Sequence, residues 1–558
     1  MQKNINQSKI IFTIIGLCLV LAGNVFAQNI GEQKTFLVDG NYDISSRSKI
    51  DAVLIRSSSS VYFYVEKSWW DAQYQVKRDE ILKNLDTLSV EFQNNIYPKL
   101  TTTFGFERKP GIDGDNIITV LFHPIKNNEA GYFREVDGYN KSQSPASNER
   151  EMVYISTDLL TATSLKTVLA HEFVHLITFN QKNKIYGAQE ETWLNEARAD
   201  YSSIILGYDD NYGNSNFQQR VRDFIESPSD SITEWRNTKY DYASVSMFTH
   251  YLVDHYGVKI LSDSLKSKYI GIESINYALE NYGYREKFSD IFTNWTIALV
   301  INDCSQNRNY CYFDKNLNSI RVSPNINFLP VSGNASLSVI DTTKNWSGNW
   351  QKFIGGSGNL KLSFSNSAGL DFQVPYIIYD KENNYSVKFL AFDQNKKGEL
   401  NIQDFGSKYN SLIILPSLQQ KITGFDGADF SYPYGFTVSV TGKDAGVDQS
   451  LIEKLLAQID SLKKQIAAIL AERAGNSVGQ NTAHCQIAGS LSLGMYNSTD
   501  VKCLQTFLKS KPGMYYGLVT GYFGPLTKNS VVKFQQQNGL PGTGIVDDTT
   551  RNKINQSW

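Results

Sequence analysis

The stretch VLAHEFVHLITFNQK, residues 168–182, places two histidines and a glutamate inside a run of apolar residues. Apolar residues recur at helical spacing from Ser164 to about Asn180, which predicts a helix there. Residues four apart lie on one face of a helix, so His171 and His175 can direct their imidazoles at one ion. Polar groups in such apolar surroundings need compensation, either from hydrogen bonds or from a metal.

Glu172 follows the first of these histidines, where a carboxylate can take a proton from a water molecule at the ion. Zinc suits the histidine pair because neutral imidazole is a good zinc ligand and catalytic zinc keeps one position open. A bound zinc ion lowers the pKa of water and polarises a carbonyl group, which is the chemistry of peptide hydrolysis. The alternative is a half-buried helix whose histidines are satisfied by hydrogen bonds, since the short HExxH pattern also occurs by chance.

A second predicted helix, ETWLNEARADYSSIILGY at residues 191–208, offers a third ligand. Glu196 follows His175 by 21 positions, and two histidines with one glutamate complete a catalytic zinc site. Asp200 lies one helical turn beyond Glu196. We expect it to accept the free ring N–H of His171 and so to fix the tautomer of that ligand.

HExxH followed by N-E-x-x-x-D on the next helix resembles the thermolysin-like gluzincin metallopeptidases, with a slightly longer gap here. The wider stretch, roughly residues 85–260, is similar to the hyicolysin family of secreted bacterial metallopeptidases in NNIYPKLTTTFG, KPGIDGDNI, AGYF, SNEREMVYI, HEFVHLITFNQK and ETWLNEARADY. This resemblance implies a zincin-like catalytic domain, a Zn²⁺ cofactor and Glu196 as third ligand, whereas Arg198 departs from the small or apolar residue expected there. Spacing alone leaves three other carboxylates open: Glu190, Glu191 and Asp200.

A peptidase also needs a donor for the oxygen that becomes negatively charged during hydrolysis. Tyr242 is the preferred candidate, because gluzincins commonly use a tyrosine or histidine downstream of the ligands. Aromatic residues at helical spacing are also typical of the helix face that packs into the core of a protein. The strand EMVYIST, residues 151–157, is expected to offer its edge to an extended substrate. The segment KYDYASVSMFTHYLVDHYG holds the other donor candidates: Tyr240, His250 and His255.

The remaining patterns predict a multidomain chain. In the catalytic region, residues 28–310, strand patterns precede helical ones, which predicts an α+β domain. Short alternating segments between turn residues predict a β-sandwich over 311–443. Apolar residues that alternate spacings of three and four over 449–473 predict a short coiled-coil helix within 447–474, which serves either as a spacer or for self-association. A flexible linker is expected at 475–483.

Residues 484–558 show three short helices, each opened by Ser, Thr, Asp or Gly. The segments DVKCLQTFL, TGYFGPLTKNSVVKFQQQNGL and GTGIVDDTTRNKI resemble the peptidoglycan-binding domain of many bacterial wall enzymes. The resemblance implies attachment to the cell wall through this domain. Tyr522 and Thr527 are candidates for lining its groove, whereas Phe523 fits either the groove or the core.

Residues 1–27 have the charged start, apolar core and small-residue end of a secretory signal, with an uncleaved anchor as the alternative. The four cysteines beyond it form two local pairs, so Cys304–Cys311 and Cys485–Cys503 are the expected disulfides in an oxidising compartment. A net charge of −2 gives no reason to expect nucleic acid as a partner. We therefore expect a secreted, extracellular or cell-wall-associated protein.

Three functions fit these features. The favoured one is a zinc endopeptidase that acts on protein or peptide substrates, with Glu172 as general base, held at the wall by its C-terminal domain. The alternative enzyme is a wall hydrolase that cuts peptidoglycan crosslinks. A non-enzymatic wall-binding protein with a decayed site is the third, and the intact set of His171, Glu172, His175 and Glu196 argues against it.

Overall fold

The structure is a computed structural model that describes residues 28–442 and 485–557, apart from short gaps. The gaps are 127–128, 331–332, 367–369, 426–429, 496–497, 512–513, 516–518 and 520. The predicted signal at 1–27, coiled-coil helix at 447–474 and linker at 475–483 lie outside the described residues. The chain divides into two compact units, and the two described ranges belong to one unit each.

The first unit opens with the strands β1 Gln33–Leu37, β2 Lys49–Ser57, β3 Val61–Glu66, β4 Ile118–His123, β5 Gly131–Phe133 and β6 Met152–Ser156. They form one sheet in the order β1-β2-β3-β4-β6-β5, in which β3, β4 and β6 run parallel and β5 is antiparallel to β6. The central strands are buried on both faces, which explains why they read as continuous rather than alternating apolar runs. The polar surroundings of β1, β2 and β5 conceal these strands in the sequence.

The sheet separates two apolar cores. Phe63 and Phe122 lie on the face that packs against the helices. Tyr64 and Tyr154 lie on the other face, covered by N-terminal residues such as Phe36. Burying an aromatic side chain of this kind contributes about 1.5–3 kcal/mol. The N-terminal strands are therefore an integral part of the sheet that carries the site.

The helices of the first unit are α1 Lys67–Asp71, α2 Gln75–Glu91, α3 Tyr97–Phe104, α4 Leu165–Thr178, α5 Thr192–Leu206, α6 Asn216–Glu226, α7 Lys239–Tyr256, α8 Lys259–Ser264, α9 Gly271–Asn281 and α10 Phe288–Ile301. A π-helical turn, Phe179–Lys184, extends α4. The two helices predicted around HEFVH and WLNEARAD are present as α4 and α5. They pack against each other, and α7 packs against both α5 and α6.

A network of buried charges anchors α4 and α5. Arg198 of α5 is fully buried, pairs with Glu190 at 2.9 Å and donates to the carbonyl of Leu261 at 3.1 Å and the hydroxyl of Ser264 at 2.6 Å. Lys182, in the π-helical turn after α4, donates to the Ser264 carbonyl at 2.6 Å and lies 3.8 Å from Glu190. Arg198 therefore departs from the apolar pattern because it ties α5 to α8 and to the end of α4.

An all-strand region follows, with β7 Asn325–Leu329, β8 Ala335–Thr343, β9 Gln351–Gly355, β10 Gly358–Ser365, β11 Phe372–Gln373, β12 Pro375–Asp380, β13 Tyr385–Phe389, β14 Gly398–Phe405, β15 Tyr409–Ile414, β16 Ser417–Leu418 and β17 Tyr432–Thr441. Its main sheet has the order β13-β12-β15-β14-β10-β17-β8, with β9 joined to β15 and β7. A small sheet pairs β11 with β16. A separate apolar core lies between the strands and includes Leu362, Phe405 and Val438. These features match the predicted β-sandwich class.

The strands begin at Asn325, later than the boundary at residue 311 that the sequence predicts. Tyr312 and Leu317, which precede the strands, are buried in the helical core. Trp350, just before β9, lies in that same core and donates to the carbonyl of Thr296 in α10 at 3.0 Å. The helical and strand regions therefore share buried surface, which a change of sequence pattern does not reveal.

The second unit contains α11 Thr499–Ser510, α12 Pro525–Gln537 and α13 Asp548–Gln556, which confirms its predicted helical character. Phe523 and Phe534 are buried in its core, whereas Tyr522 is 49% exposed. Both predicted disulfides, Cys304–Cys311 in the first unit and Cys485–Cys503 in the second, are confirmed. Among the described helices, none combines the length and apolarity needed to cross a membrane.

We expect Arg198→Met to lower the free energy of unfolding of the first unit by about 3–5 kcal/mol, because Glu190 stays buried without its guanidinium partner. Adding Glu190→Gln should recover part of this loss, because it removes the uncompensated charge. Calorimetric thermal unfolding measures both effects. Arg222→Met, at an exposed arginine of α6, is the control and should change stability by less than about 0.5 kcal/mol. Equal effects of the two arginine substitutions would contradict the anchoring role.

Candidate metal centre

α4 and α5 bring three ligand-bearing side chains together. The Nε2 atoms of His171 and His175 lie 3.1 Å apart. Glu196 places Oε2 at 3.1 Å from His171 Nε2 and Oε1 at 3.6 Å from His175 Nε2. The three ligand atoms therefore converge on one point at the junction of the two helices.

The spacing of these atoms fits a tetrahedral ion. Ligand atoms about 2.0–2.1 Å from such an ion are separated from one another by roughly 3.3–3.4 Å. The two nitrogens lie 3.1 Å apart, and they lie 3.1 and 3.6 Å from different oxygens of the Glu196 carboxylate, which is close to that value. With one oxygen taken as the ligand, the three atoms lie within 4.8 Å of one another. The side chains of His171 and Glu196 are 22% and 14% exposed, so solvent reaches one side of the cluster. Two imidazoles, one carboxylate and an open side are the donor set of a catalytic zinc site.

The other carboxylates that spacing leaves open have different partners. Glu190 pairs with Arg198 at 2.9 Å. Glu191 accepts from the indole N–H of Trp193 at 2.7 Å and from the backbone N–H of Gly424 at 2.9 Å. Both are therefore engaged in structural contacts, and Glu196 is the carboxylate that meets the histidines.

The three ligands adjust one another's ionisation. Burial lowers the pKa of His171, but the hydrogen bond and the charge of Glu196 outweigh it and raise the pKa to about 9. Burial lowers the pKa of His175. Burial alone would raise the pKa of Glu196, but the two histidines hold it below its usual value. Glu196 is thus favoured in the ionised form that binds a metal.

Glu172 is buried beside the ligands, with 5% of its surface exposed. Burial raises its pKa to about 8, with the charges of Glu196 and Glu129 adding to the effect and His171 opposing it. Within the described residues its Oε2 has no hydrogen-bond partner. Gly131 of β5 covers the other oxygen so closely that a Cβ there would lie 3.0 Å from Oε1. A larger residue at this position would therefore displace the carboxylate.

Asp200 has partners that the sequence does not predict. Instead of bonding to His171, its Oδ1 accepts from the guanidinium of Arg220 at 3.1 and 3.2 Å and from the amide of Asn216 at 3.3 Å. Burial, which lowers the pKa of His171, and Glu196, which raises it, have the larger effects. The negative charge of Asp200 adds to the raising effect. The expected hydrogen bond is replaced because α6 supplies a charged donor. The role of Asp200 toward His171 is thus electrostatic.

Asn195 is a site residue that the sequence reasoning missed. It lies next to Glu196 on α5. Burial lowers the pKa of His175, and the Asn195 side chain opposes this effect. By distance and angle, neither His175 Nδ1 nor Asn195 Oδ1 has a hydrogen-bond partner among the described residues. An amide oxygen next to the ring favours the proton on Nδ1, which leaves Nε2 for a metal. The asparagine of the N-E-x-x-x-D pattern was the available signal.

Tyr242 of α7 contacts Arg220, the partner of Asp200. Burial raises the pKa of its hydroxyl, with the charges of Glu196 and Glu172 adding to the effect and Arg220 opposing it. The Arg220 guanidinium lies 4.6 Å from its ring centre, and the hydroxyl donates to Asn237 Oδ1 at 3.1 Å.

The three other donor candidates have different environments. Tyr240 donates to Glu226 at 2.8 Å, and His255 contacts the carbonyl of Cys311 at 3.0 Å. His250 stacks on Phe217, and burial lowers its pKa to about 3.

The strand that can receive an extended peptide is β5 rather than the predicted strand at 151–157. That segment contains β6, which pairs with β4 on one side and β5 on the other. β5 ends the order of the sheet beside β6, and β1 ends it on the other side. Of these two edge strands, β5 is the one that carries Gly131 against Glu172. The sequence conceals this because β5 is three residues long and lies among turn residues.

A cleft of about 740 Å³ lies between the end of α10 and the strand region. Its walls include Asn302, Lys352, Tyr379 and Tyr385, and none of the candidate ligands lines it. The metal centre is therefore assigned from ligand geometry and not from the size of a cavity.

Comparison with known families identifies the C-terminal part of the chain. Residues 497–554 match the model described as "Putative peptidoglycan binding domain". The chain therefore carries a C-terminal peptidoglycan-binding domain, as the sequence predicts, and this domain indicates association with the cell wall. No curated protein matches the chain.

Solved structures resemble parts of the chain only distantly. The pre-peptidase C-terminal domain of a collagenase from Bacillus anthracis is 13% identical over 21% of this chain and 96% of that one, with a TM-score of 0.14. The mitogen derived from Yersinia pseudotuberculosis is 13% identical over 20% and 92%, with a TM-score of 0.15. PliG of Aeromonas hydrophila, a periplasmic inhibitor of g-type lysozyme, is 10% identical over 21% and 98%, with a TM-score of 0.14. These likenesses carry no argument about function.

We expect the chain to bind one zinc ion at this centre and Glu196→Gln to weaken zinc binding by more than about a hundredfold, because a ligand is lost. Asn195→Ala should weaken it by about 10–100-fold, the usual cost of losing a group that orients a ligand. Glu172→Gln is the matched control and should retain zinc. Metal analysis and competition with a chromogenic chelator measure these affinities. Unchanged zinc affinity in Glu196→Gln would rule out this ligand set.

Proposed function

We propose that the first unit is a zinc-dependent endopeptidase that hydrolyses peptide bonds in proteins. The convergence of His171, His175 and Glu196 beside the buried Glu172 carries this proposal. The resemblance of the surrounding segments to hyicolysin-family metallopeptidases supports it. With the predicted signal at 1–27, we expect a secreted enzyme that the C-terminal domain holds at the cell wall.

The chemistry follows from the groups around the centre. A bound zinc ion would activate a water molecule and polarise the carbonyl of the scissile bond. Glu172 accepts the proton of the attacking water on a carboxylate oxygen. As the new C–O bond forms and the C–N bond breaks, Glu172 delivers that proton to the nitrogen of the leaving amine. Its burial strengthens this exchange, because few water molecules compete for the carboxylate.

Tyr242 is the proposed donor to the carbonyl oxygen as negative charge develops on it. Its hydroxyl donates to Asn237 Oδ1 at 3.1 Å. When substrate binds, the hydroxyl would donate to the carbonyl oxygen of the scissile bond instead. The guanidinium of Arg220 lies 4.6 Å from the centre of the Tyr242 ring and pairs with Asp200 at 3.1 Å, which links the tyrosine to α5.

We propose that the substrate extends along the outer edge of β5. Main-chain hydrogen bonds to such an edge bind peptides with little dependence on side chains, which suits an endopeptidase. Gly131 on this strand is also the residue against Glu172, so a peptide paired there lies beside the proposed general base.

Hydrolysis of peptide crosslinks in the wall is the second candidate function. The peptidoglycan-binding domain at 497–554 favours it, because that domain would hold the enzyme on such a substrate. Both functions break an amide bond with the same groups. They differ in the substrate that reaches β5, so direct turnover of each substrate separates them.

We expect the mature chain to cleave denatured casein, to lose this activity with a chelator and to regain it with zinc. Glu172→Gln should lower kcat by about 10²–10⁴-fold while zinc remains bound, because general acid–base catalysis is lost. Purified cross-linked peptidoglycan, assayed in parallel for released peptides, tests the second candidate.

Chelator-sensitive release from peptidoglycan without cleavage of casein would replace the first function by the second. Absence of both activities in the zinc-loaded chain would refute the enzymatic proposal.

Tyr242→Phe should lower kcat by about a hundredfold and change KM little, because the lost hydrogen bond forms as charge develops. Tyr240→Phe on the same helix is the matched control, since its hydroxyl binds Glu226, and it should leave kcat unchanged. Steady-state kinetics on a quenched fluorescent peptide measure both. Equal kcat for Tyr242→Phe and the unmodified chain would exclude Tyr242 as the donor.

A further inference from the structure

Glu129 is a carboxylate near the site for which the described part of the chain provides no cationic partner. It lies two residues before β5 and is half-buried. The side-chain amide of Asn237 donates a hydrogen bond to its Oε1 at 3.4 Å. Among the residues that the structure describes, no lysine or arginine pairs with it, and burial raises its pKa. An amide satisfies a hydrogen-bonding position but leaves the negative charge uncompensated.

Two structural features place Glu129 near the candidate metal centre. It lies two residues before Gly131, at which a Cβ would lie 3.0 Å from Oε1 of Glu172. The same Asn237 that donates to Glu129 accepts from the Tyr242 hydroxyl. Glu129 therefore lies just before β5 and is linked through Asn237 to Tyr242, the proposed donor on α7.

Two other buried acidic groups of the first unit have arginine partners. Asp200 pairs with Arg220 at 3.1 Å, and Glu190 pairs with Arg198 at 2.9 Å. Among the described residues Glu129 has no such partner, so its negative charge just before β5 is uncompensated. A cation provided by the substrate would compensate it, and a charge-assisted hydrogen bond of this kind is among the stronger ones available.

We propose that Glu129 is a specificity-determining residue that binds a cationic nitrogen of the peptide substrate close to the scissile bond. This inference rests on the proposed peptidase function and adds the class of substrate. An ammonium or guanidinium group meets the requirement, whether it belongs to a lysine or arginine side chain or to the free amino terminus of a peptide. The Asn237 amide orients the carboxylate, and the adjoining β5 edge aligns the peptide beside it.

The test compares quenched fluorescent peptides that differ only in lysine against norleucine at each position flanking the cleaved bond. Every peptide is made with a free and with an acetylated amino terminus, so that the two sources of a cation are distinguished. In the unmodified chain we expect kcat/KM to be about tenfold to a hundredfold higher for the cationic member of one pair. Glu129→Gln, which keeps an oxygen acceptor for Asn237, should bring that ratio close to one.

Glu135→Gln is the matched control. Glu135 follows β5, is also half-buried, and has an asparagine amide as a hydrogen-bond partner. Burial raises its pKa, which the Asn183 amide and the charge of Lys184 oppose, and neither Glu172 nor Glu196 contributes. The control should therefore retain the preference for the cationic peptide.

Two outcomes would overturn the inference. One is a lysine-to-norleucine ratio that Glu129→Gln leaves unchanged. The other is an equal fall in kcat/KM for both peptides, which would make Glu129 a positioning residue that acts through Asn237 and Tyr242.

Binding to Glu172→Gln gives a readout that does not require turnover. Calorimetry with the lysine and norleucine peptides should show tighter binding of lysine, and adding Glu129→Gln should abolish the difference. If the unmodified chain cleaves no peptide but this difference is present, the peptidase proposal fails and the cation site stands. If cleavage is chelator-sensitive but no binding difference exists, the cation site fails and the peptidase stands.

Discussion

Two imidazoles and a carboxylate meet within 3.1–3.6 Å where α4 crosses α5, and the first unit must keep them there inside an apolar helix pair. Charged groups removed from water cost several kcal/mol each unless neighbouring groups compensate them. Asp200 has Arg220, and Glu190 has Arg198. The ligand atoms compensate one another in part, and the ion they fit would complete that compensation.

α5 has two sets of contacts that serve different purposes. Asn195 and Glu196 approach the histidines, whereas Arg198 is bound to α8 and to Glu190. The buried arginine joins α5 to α8 and to Glu190 in the segment before α5, which fixes the helix that carries Glu196. The sheet supports the same geometry from the other side, because Gly131 allows β5 to lie against Glu172.

The parts of the site that the sequence predicts depend on spacing within one helix or motif, whereas the parts that it does not predict depend on contacts between distant elements. The ligand pair His171 and His175 follows from the period of one helix, and Glu196 follows from a motif on the next. The partner of Asp200 was predicted incorrectly, because Arg220 belongs to α6 and no spacing rule connects it to α5. The edge strand was missed because three residues carry too little alternation to signal a strand.

The sequence by itself determined the helices that carry HEFVH and WLNEARAD, both disulfides and the peptidoglycan-binding domain, and it predicted His171 and His175 as a pair on one helix face. Each of these depends on neighbours in the chain, whose spacing sets which side chains share a face. Only the tertiary structure decided that β5 rather than β6 is an edge strand, where the buried charges find partners, and that Glu129 meets Asn237, 108 residues further along. Such contacts form when distant segments pack together to bury apolar surface. The hydrophobic effect is non-directional, so a local sequence pattern does not specify which distant segments meet.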